Sequence, residues 1–457
     1  MGRNKRSDRP SQQRNKSEQS DQSASSPVEQ NGSAQSPDCG PGPEPGCMPL
    51  WRRLWHWGPI LALSIVAVVS TSTMMCLLQW WPPLSSHWAG LNAFAFMASV
   101  YLTLANFLMA AQAGPGYVPL GWKPKYAEDC EKLQYCLICC GYKVPRSHHC
   151  RKCGRCCMKM DHHCPWINNC AGHLNQGFFI RFLAWAVIGC AHGSCIIAPS
   201  IYRAIFRVWY LYYGTGREPI VELGIYGMLY AIFAFGLAVG VVCAVGFLLF
   251  VQLRVVWRNQ TSIEDWIITK ARHRRRDQPS ADQFIFPYDL GWRRNLWQAF
   301  TWSGWPRGDG IVWAVAEGCD QFTLTQEQLQ QKEEKRQHLV EYVCQRPYAG
   351  YFLPLSHGPR VSFFFPWSDE PRIPLCVGDR LLVSRWKKHW LYGEKCVKIL
   401  KDDSTDSSNH SFGHGDRSGN GHPASSPRNP RGWFPRHCVT RVVQNECDLP
   451  RIHAKTE

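Results

Sequence analysis

Residues 136–175 read CLICCGYKVPRSHHCRKCGRCCMKMDHHCPWINNCAGHLN, and this stretch decides what the rest of the chain has to be. Cys136-x2-Cys139, then His149-Cys150-x2-Cys153-x2-Cys156, the pair His162-His163 and finally Cys170 repeat the spacings with which cysteine and histidine close around a metal ion. A closed tetrahedral site takes four such ligands, so six cysteines and two histidines make two complete sets. The loop is rich in Gly, Lys and Arg and has little apolar material of its own. Two structural zinc ions, each contributing on the order of 10 kcal/mol of folding free energy, are expected to serve as its core. Of the 22 cysteines, ten lie between Cys130 and Cys170 beside four histidines, a clustering that favours metal over disulfides.

One cysteine is then surplus. Cys164 directly follows Asp161-His162-His163. A free thiol near pKa 8.5 is only a few per cent ionised at neutral pH, and a neighbouring imidazole or cationic setting lowers that value to about 3.5 to 7.5. On this reading His162 is the base, Asp161 its orienting partner and Cys164 the nucleophile, with Arg151, Lys152, Arg155 and Lys159 adding positive potential. Spacing alone also allows Cys164 to be one more ligand.

Outward from this loop the chain is apolar on both sides. Gly58 to Leu78 holds no charged residue, and at 1.5 Å rise such a helix spans about 30 Å, the thickness of a bilayer's hydrocarbon core. Further uncharged blocks run over 88–113, 182–201 and 223–253, so four transmembrane helices are expected. The tail before the first span carries Arg3, Lys5, Arg6, Arg9, Arg14, Lys16, Arg52 and Arg53, whereas the connection 79–87 has no Lys or Arg. The tail, the cysteine-rich loop and the segment after the fourth span are therefore cytosolic, as are both termini. Trp55, Trp57, Trp80, Trp81 and Trp88 sit at the span edges, as interfacial aromatics do.

The composition agrees. Hydrophobic residues make up 45% and charged residues 19%, which excludes a wholly disordered chain, and 51 basic against 35 acidic residues leave +16, a sign suited to phosphates, anionic lipid or acidic partners. Zinc-mediated nucleic-acid binding suits the charge but not the layout, since the loop is pinned between two spans, and no nucleic-acid partner is expected. Arg272-x-Arg274-Arg275-Arg276 is expected to meet anionic lipid beside the bilayer. Thr325-Gln326-Glu327-Gln328 reads as a capping box opening a polar helix toward His338. From about Val340 short alternating strands predict a small all-β domain, interrupted by a flexible Ser-, Asn-, Gly- and His-rich insertion at 401–431.

A reactive thiol beside four membrane helices suits a long acyl chain, which costs about 0.8 kcal/mol per methylene to hold in water and so must stay in lipid or an apolar groove. At these residues the sequence resembles the DHHC family of protein S-acyltransferases. The resemblance rests on the cysteine spacings above, Asp161-His162-His163-Cys164-Pro165-Trp166 and Asn168-Asn169-Cys170-x-Gly172-x2-Asn175. It extends to Thr261-Ser262-Ile263-Glu264, similar to the family's Thr-Thr-x-Glu segment, and to an aromatic motif at Asn295 to Phe300. The family's Asp-Pro-Gly turn appears as Gly114-Pro115-Gly116, a departure that removes a carboxylate. The resemblance implies one zinc on Cys136, Cys139, His149 and Cys156 and a second on Cys150, Cys153, His163 and Cys170. It also implies that Cys164 takes a palmitoyl group from acyl-CoA and passes it to cysteines of membrane-associated substrate proteins, assisted by His162 and Asp161. Gly189, in the third span, is expected to leave depth in an acyl groove built from the four helices. A catalytically inactive membrane scaffold is the alternative.

The C-terminal β region resembles an SH3 domain ending in Gly432-Trp433-Phe434-Pro435-Arg436-His437-Cys438-Val439, with His437-Cys438 where an SH3 ligand groove usually has Asn-Tyr. Partner recruitment through this module is implied. An SH3-bearing branch of the family, matched also at Gly116 to Pro124 and Phe286 to Gly291, resides in the endoplasmic reticulum, which makes that membrane the expected location, with the Golgi as alternative. The expected domains are a disordered tail at 1–48, two spans in 49–113, the cysteine-rich zinc domain at 114–177, two spans in 178–253, a cytosolic segment at 254–336, the SH3-like domain at 337–445 and a tail at 446–457.

Overall fold

A computed structural model describes residues 49–276, 284–351, 354–368, 370–396 and 430–442. The expected N-terminal and C-terminal tails, and the expected insertion except for its last two residues, lie outside the described residues.

Four helices are long and apolar enough to cross a membrane. A short helix α1 (Leu50–Leu54) precedes the first of them, α2 (Trp57–Trp80). The others are α3 (His87–Ala113), α4 (Gln176–Ile205) and, after a short α5 (Arg207–Tyr213), α6 (Ile225–Trp257). All four expected spans are present. The third starts six residues before Phe182, because Gln176 to Arg181 continue the helix into the cytosolic domain, where the Arg181 guanidinium donates to the Thr301 carbonyl. Helix α4 packs against α2, α3 and α6 and so forms the centre of the bundle. Its contact face is small: a Cβ on Gly193 would stand 2.8 Å from Thr73 Oγ1. The buried hydroxyls of Thr73, Ser99, Thr103 and Ser200 donate to carbonyls of their own helices, at 2.7 to 2.8 Å, so the tight faces carry no unpaired donor at these positions. Phe94, Ile188, Phe233 and Phe247 point outward and exposed, as lipid-facing residues must.

Between α3 and α4 lie three antiparallel hairpins, β1 (Tyr135–Cys136) with β2 (Gly141–Tyr142), β3 (His148–Cys150) with β4 (Arg155–Cys157), and β5 (His162–Cys164) with β6 (Asn169–Ala171). Asn169 and Asn175 fasten them to the end of α3, donating to the carbonyls of Ala111 and Ala110. After α6 come α7 (Ser262–Arg276), α8 (Trp292–Ala299) and α9 (Thr323–Gln337). Helix α9 begins two residues before the expected capping box. The Thr323 hydroxyl accepts from Asp320 N just ahead of the helix, and Thr325 lies inside it. Arg274 and Arg275 do not form a free lipid-facing patch: both pair with the buried Glu327 of α9, at 2.9 and 2.8 Å.

The chain ends in a five-stranded antiparallel sheet, β7 (Val340–Cys344), β8 (Arg380–Lys387), β9 (Trp390–Cys396), β10 (Arg431–Pro435) and β11 (Val439–Arg441), in the order β10-β9-β8-β7-β11. Trp390, Leu381 and Phe434 fill its core and are fully buried.

Candidate active site and metal-ligand clusters

The hairpins interleave the ligands of two clusters. In β3 and β4, His149 faces Cys156 across the ladder, while in β5 and β6 His163 faces Cys170. The Nδ1 of His149 lies 3.5, 3.4 and 3.9 Å from the sulfurs of Cys136, Cys139 and Cys156. The Nδ1 of His163 lies 3.7, 3.4 and 3.7 Å from those of Cys150, Cys153 and Cys170. All donors of each set fall within 4.8 Å of one another. Tetrahedral zinc with arms of about 2.0 to 2.3 Å separates its ligands by about 3.6 Å, so two sets of three sulfurs and one imidazole fit zinc in both chemistry and spacing. His148 stands outside the cluster, half-buried, and desolvation lowers its pKa to about 4.

Cys164 belongs to neither cluster. Its side chain is buried at the edge of a largely apolar cavity of about 330 Å³ enclosed by α2, α3, α4 and α6. Along α4 the lining runs from Phe179, near the hairpins, to Gly189 and Cys190, about 15 Å deeper at 1.5 Å per residue. A Cβ on Gly189 would stand 2.9 Å from Ser99 Oγ, so this position has no spare width. Helix α2 approaches the thiol's own loop so closely that a Cβ on Gly58 would meet the Pro165 carbonyl oxygen at 2.0 Å.

Beside the thiol, His162 Nδ1 is 2.7 Å from Asp161 Oδ2, and the ring edge meets Phe179. Asp161 is buried and fully engaged. Gln252 of α6 donates to Oδ2 at 2.9 Å, and the backbone N–H of Ser262, at the start of α7, donates to Oδ1 at 2.6 Å. Burial opposes ionisation of this carboxyl, but His162 and these two donors outweigh it and lower its pKa to about 2. Burial likewise opposes charge on His162, yet hydrogen bonds to Asp161 and Cys164 raise its pKa to about 10. Asp161, His162 and Cys164 are thus brought together as a unit. Arg155 and Lys159 are not part of it: Arg155 donates to the Val118 carbonyl and Lys159 is buried under Trp313.

Two participants escaped the sequence reading. Gln252 is a lone amide near the cytosolic end of an apolar helix, and an isolated polar residue in such a span is the signal that finds it. Arg146 is the second. Its guanidinium makes a bidentate pair with Glu264, at 2.6 and 2.8 Å, both side chains fully buried, and also donates to Asn259. The aromatic faces of Tyr288 and Trp313 cover it at 4.3 and 4.6 Å. Glu264 and Thr261 cap α7 reciprocally, which aims the Ser262 N–H at Asp161.

A buried thiol against an apolar cavity, with a His–Asp pair beside it and two Cys/His clusters behind it, describes a membrane-embedded thiol acyltransferase. The family model described as DHHC palmitoyltransferase matches residues 129–269. The chain belongs to this family and is a protein S-palmitoyltransferase. It is 42% identical over 401 residues to Palmitoyltransferase ZDHHC6 of Mus musculus, an alignment covering 85% of this chain and 92% of that protein. The Danio rerio protein of the same name is 42% identical over 417 residues, covering 89% and 96%. Probable protein S-acyltransferase 16 of Arabidopsis thaliana is 30% identical over 255 residues, covering 52% of this chain and 82% of its own length. These relatives favour the enzyme over the inactive scaffold.

Proposed function

We propose that Cys164 carries the acyl group through a thioester. His162 takes the thiol proton, the sulfur attacks the carbonyl carbon of a long-chain acyl-CoA, the bond to the coenzyme A sulfur breaks, and the proton leaves with the departing thiol. In the second half-reaction a substrate cysteine attacks the Cys164 thioester and frees the enzyme thiol. Asp161 holds the imidazole in the orientation that points its other nitrogen at sulfur. The apolar cavity takes the acyl chain, keeping it out of water while the carbonyl stays at the cytosolic edge.

The observation that carries this reading is the placement of Cys164 outside both clusters, at the cavity edge and beside a hydrogen-bonded His–Asp pair. Zinc held by Cys136, Cys139, His149 and Cys156, and by Cys150, Cys153, His163 and Cys170, supplies folding stability to the hairpins and no step of the transfer. Purified protein incubated with labelled palmitoyl-CoA is expected to gain hydroxylamine-sensitive label, and Cys164→Ser none. Equal labelling of the two rejects the assignment of Cys164.

We place a zinc domain at 114–177 between two pairs of spans and an SH3-like module over 337–445. The antiparallel five-stranded order, with a 3-10 turn (Arg436–Cys438) before the last strand, supports the SH3-like reading. This module recruits protein partners. The substrates are cysteine-bearing proteins at the cytosolic face of the endoplasmic reticulum membrane, with the Golgi as the alternative. Glycosidase sensitivity of an introduced lumenal glycan distinguishes the two compartments.

A further inference from the structure

Outside the cysteine-rich domain, three more metal-ligating side chains converge in the C-terminal sheet. His357 lies in the connection between β7 and β8, and His437 and Cys438 lie in the turn between β10 and β11. Eighty residues apart in sequence, His357 Nδ1 and His437 Nε2 stand 2.9 Å from each other. The Cys438 sulfur lies 3.6 and 3.7 Å from these two nitrogens. We propose that His357, His437 and Cys438 form a third zinc site, distinct from the two clusters of the cysteine-rich domain.

The geometry argues for a metal on three counts. A tetrahedral zinc with Zn–S of about 2.3 Å and Zn–N of about 2.0 to 2.1 Å sets sulfur and nitrogen about 3.6 Å apart, the separation seen twice here. The same sulfur-to-imidazole spacing, 3.4 to 3.9 Å, recurs in the two four-ligand clusters. The nitrogens converge on a sulfur whose side chain is fully buried, while His357 is half-buried and His437 exposed. The donors are therefore fixed on the inner side and reachable from solvent on the outer. The ring-to-ring gap has to open by about 0.5 Å to admit the ion, since two imidazoles on zinc sit about 3.4 Å apart. His437 is free to supply that movement because it is on the surface.

Two imidazoles and one thiolate are a borderline-soft set that suits zinc, and three protein ligands leave a fourth position for water or a donor from a partner. Burial raises the Cys438 thiol to about 11, so the ion binds by displacing this proton to solvent. With three protein ligands rather than four, the site holds zinc more weakly than the two clusters of the cysteine-rich domain. Once bound, zinc clips the long β7–β8 connection to the turn before β11, next to the Tyr348 ring that packs on His357. The site lies at His437-Cys438, the pair that stands where an SH3 ligand groove usually has Asn-Tyr.

The test is zinc stoichiometry of the full-length protein in detergent, measured by elemental mass spectrometry after equilibration with micromolar zinc and removal of free metal. The expected values are three zinc ions per chain for the wild type and two for His437→Gln, with labelling from palmitoyl-CoA unchanged. Because His437 is exposed, this variant folds whatever the role of the buried Cys438. His357→Gln is expected to match it, and added zinc is expected to raise the melting temperature of the wild type and not of either variant. Equal zinc content in wild type and His437→Gln, whether two or three, overturns the proposal.

Discussion

Replacing Glu264 by Ala removes the only carboxylate paired with the fully buried Arg146 guanidinium among the described residues. The charge keeps the Asn259 carbonyl and side-chain oxygen and the faces of Tyr288 and Trp313, none of which neutralises it. Breaking a buried pair by deleting one partner costs about 3 to 5 kcal/mol, and loss of the reciprocal cap at Thr261 adds about 1 kcal/mol. Replacing both partners, as Arg146→Met with Glu264→Leu, leaves no orphaned charge and is expected to cost less than the sum of the two single changes. A double-mutant cycle of denaturant unfolding in mild detergent measures this coupling, expected at 2 kcal/mol or more in order of magnitude. The singles are also expected to slow Cys164 acylation, because α7 no longer holds the Ser262 N–H against Asp161. A Glu264→Ala cost below about 1 kcal/mol, or strict additivity in the cycle, refutes the claim that this pair locks the cysteine-rich domain to α7.

Gly189→Phe places a ring where even an added Cβ would stand 2.9 Å from Ser99 Oγ, so the cavity is expected to shorten and preference to move to shorter acyl-CoA; competition between myristoyl- and palmitoyl-CoA reads this out, and unchanged selectivity defeats it. Gln252→Leu removes one donor from the Asp161 carboxylate, at about 1 to 3 kcal/mol for a hydrogen bond to a charged group. With its charged form less stabilised, this carboxyl titrates above its present value of about 2, so the acid limb of the acylation rate against pH is expected to move to higher pH. An unmoved acid limb shows that Gln252 does not support Asp161.

How much of this was legible in one dimension follows from the range of each interaction. The four spans depend on uninterrupted apolar runs, and a bilayer accepts or rejects a helix on that property, so their existence is legible in the sequence, while their ends shift by several residues, most at the cytosolic end of α4. The ligand spacings and Asp161-His162-His163-Cys164 are local, and the residue types needed for zinc and for a nucleophile lie within a few positions of one another. Which histidine of His148-His149 enters the cluster was decided by β3, where adjacent side chains take opposite faces and the ladder sets His149 against Cys156. That Cys164 stands apart from the metal clusters and borders the cavity, that Gln252 and Ser262 hold Asp161, and that Arg146 is buried against Glu264 are contacts between residues 91 to 118 positions apart for the pairs to Gln252, Ser262 and Glu264. No periodicity records such pairs. They exist because the four helices and three hairpins close on one another and leave those polar groups facing inward, where each must find the partner that the fold presents.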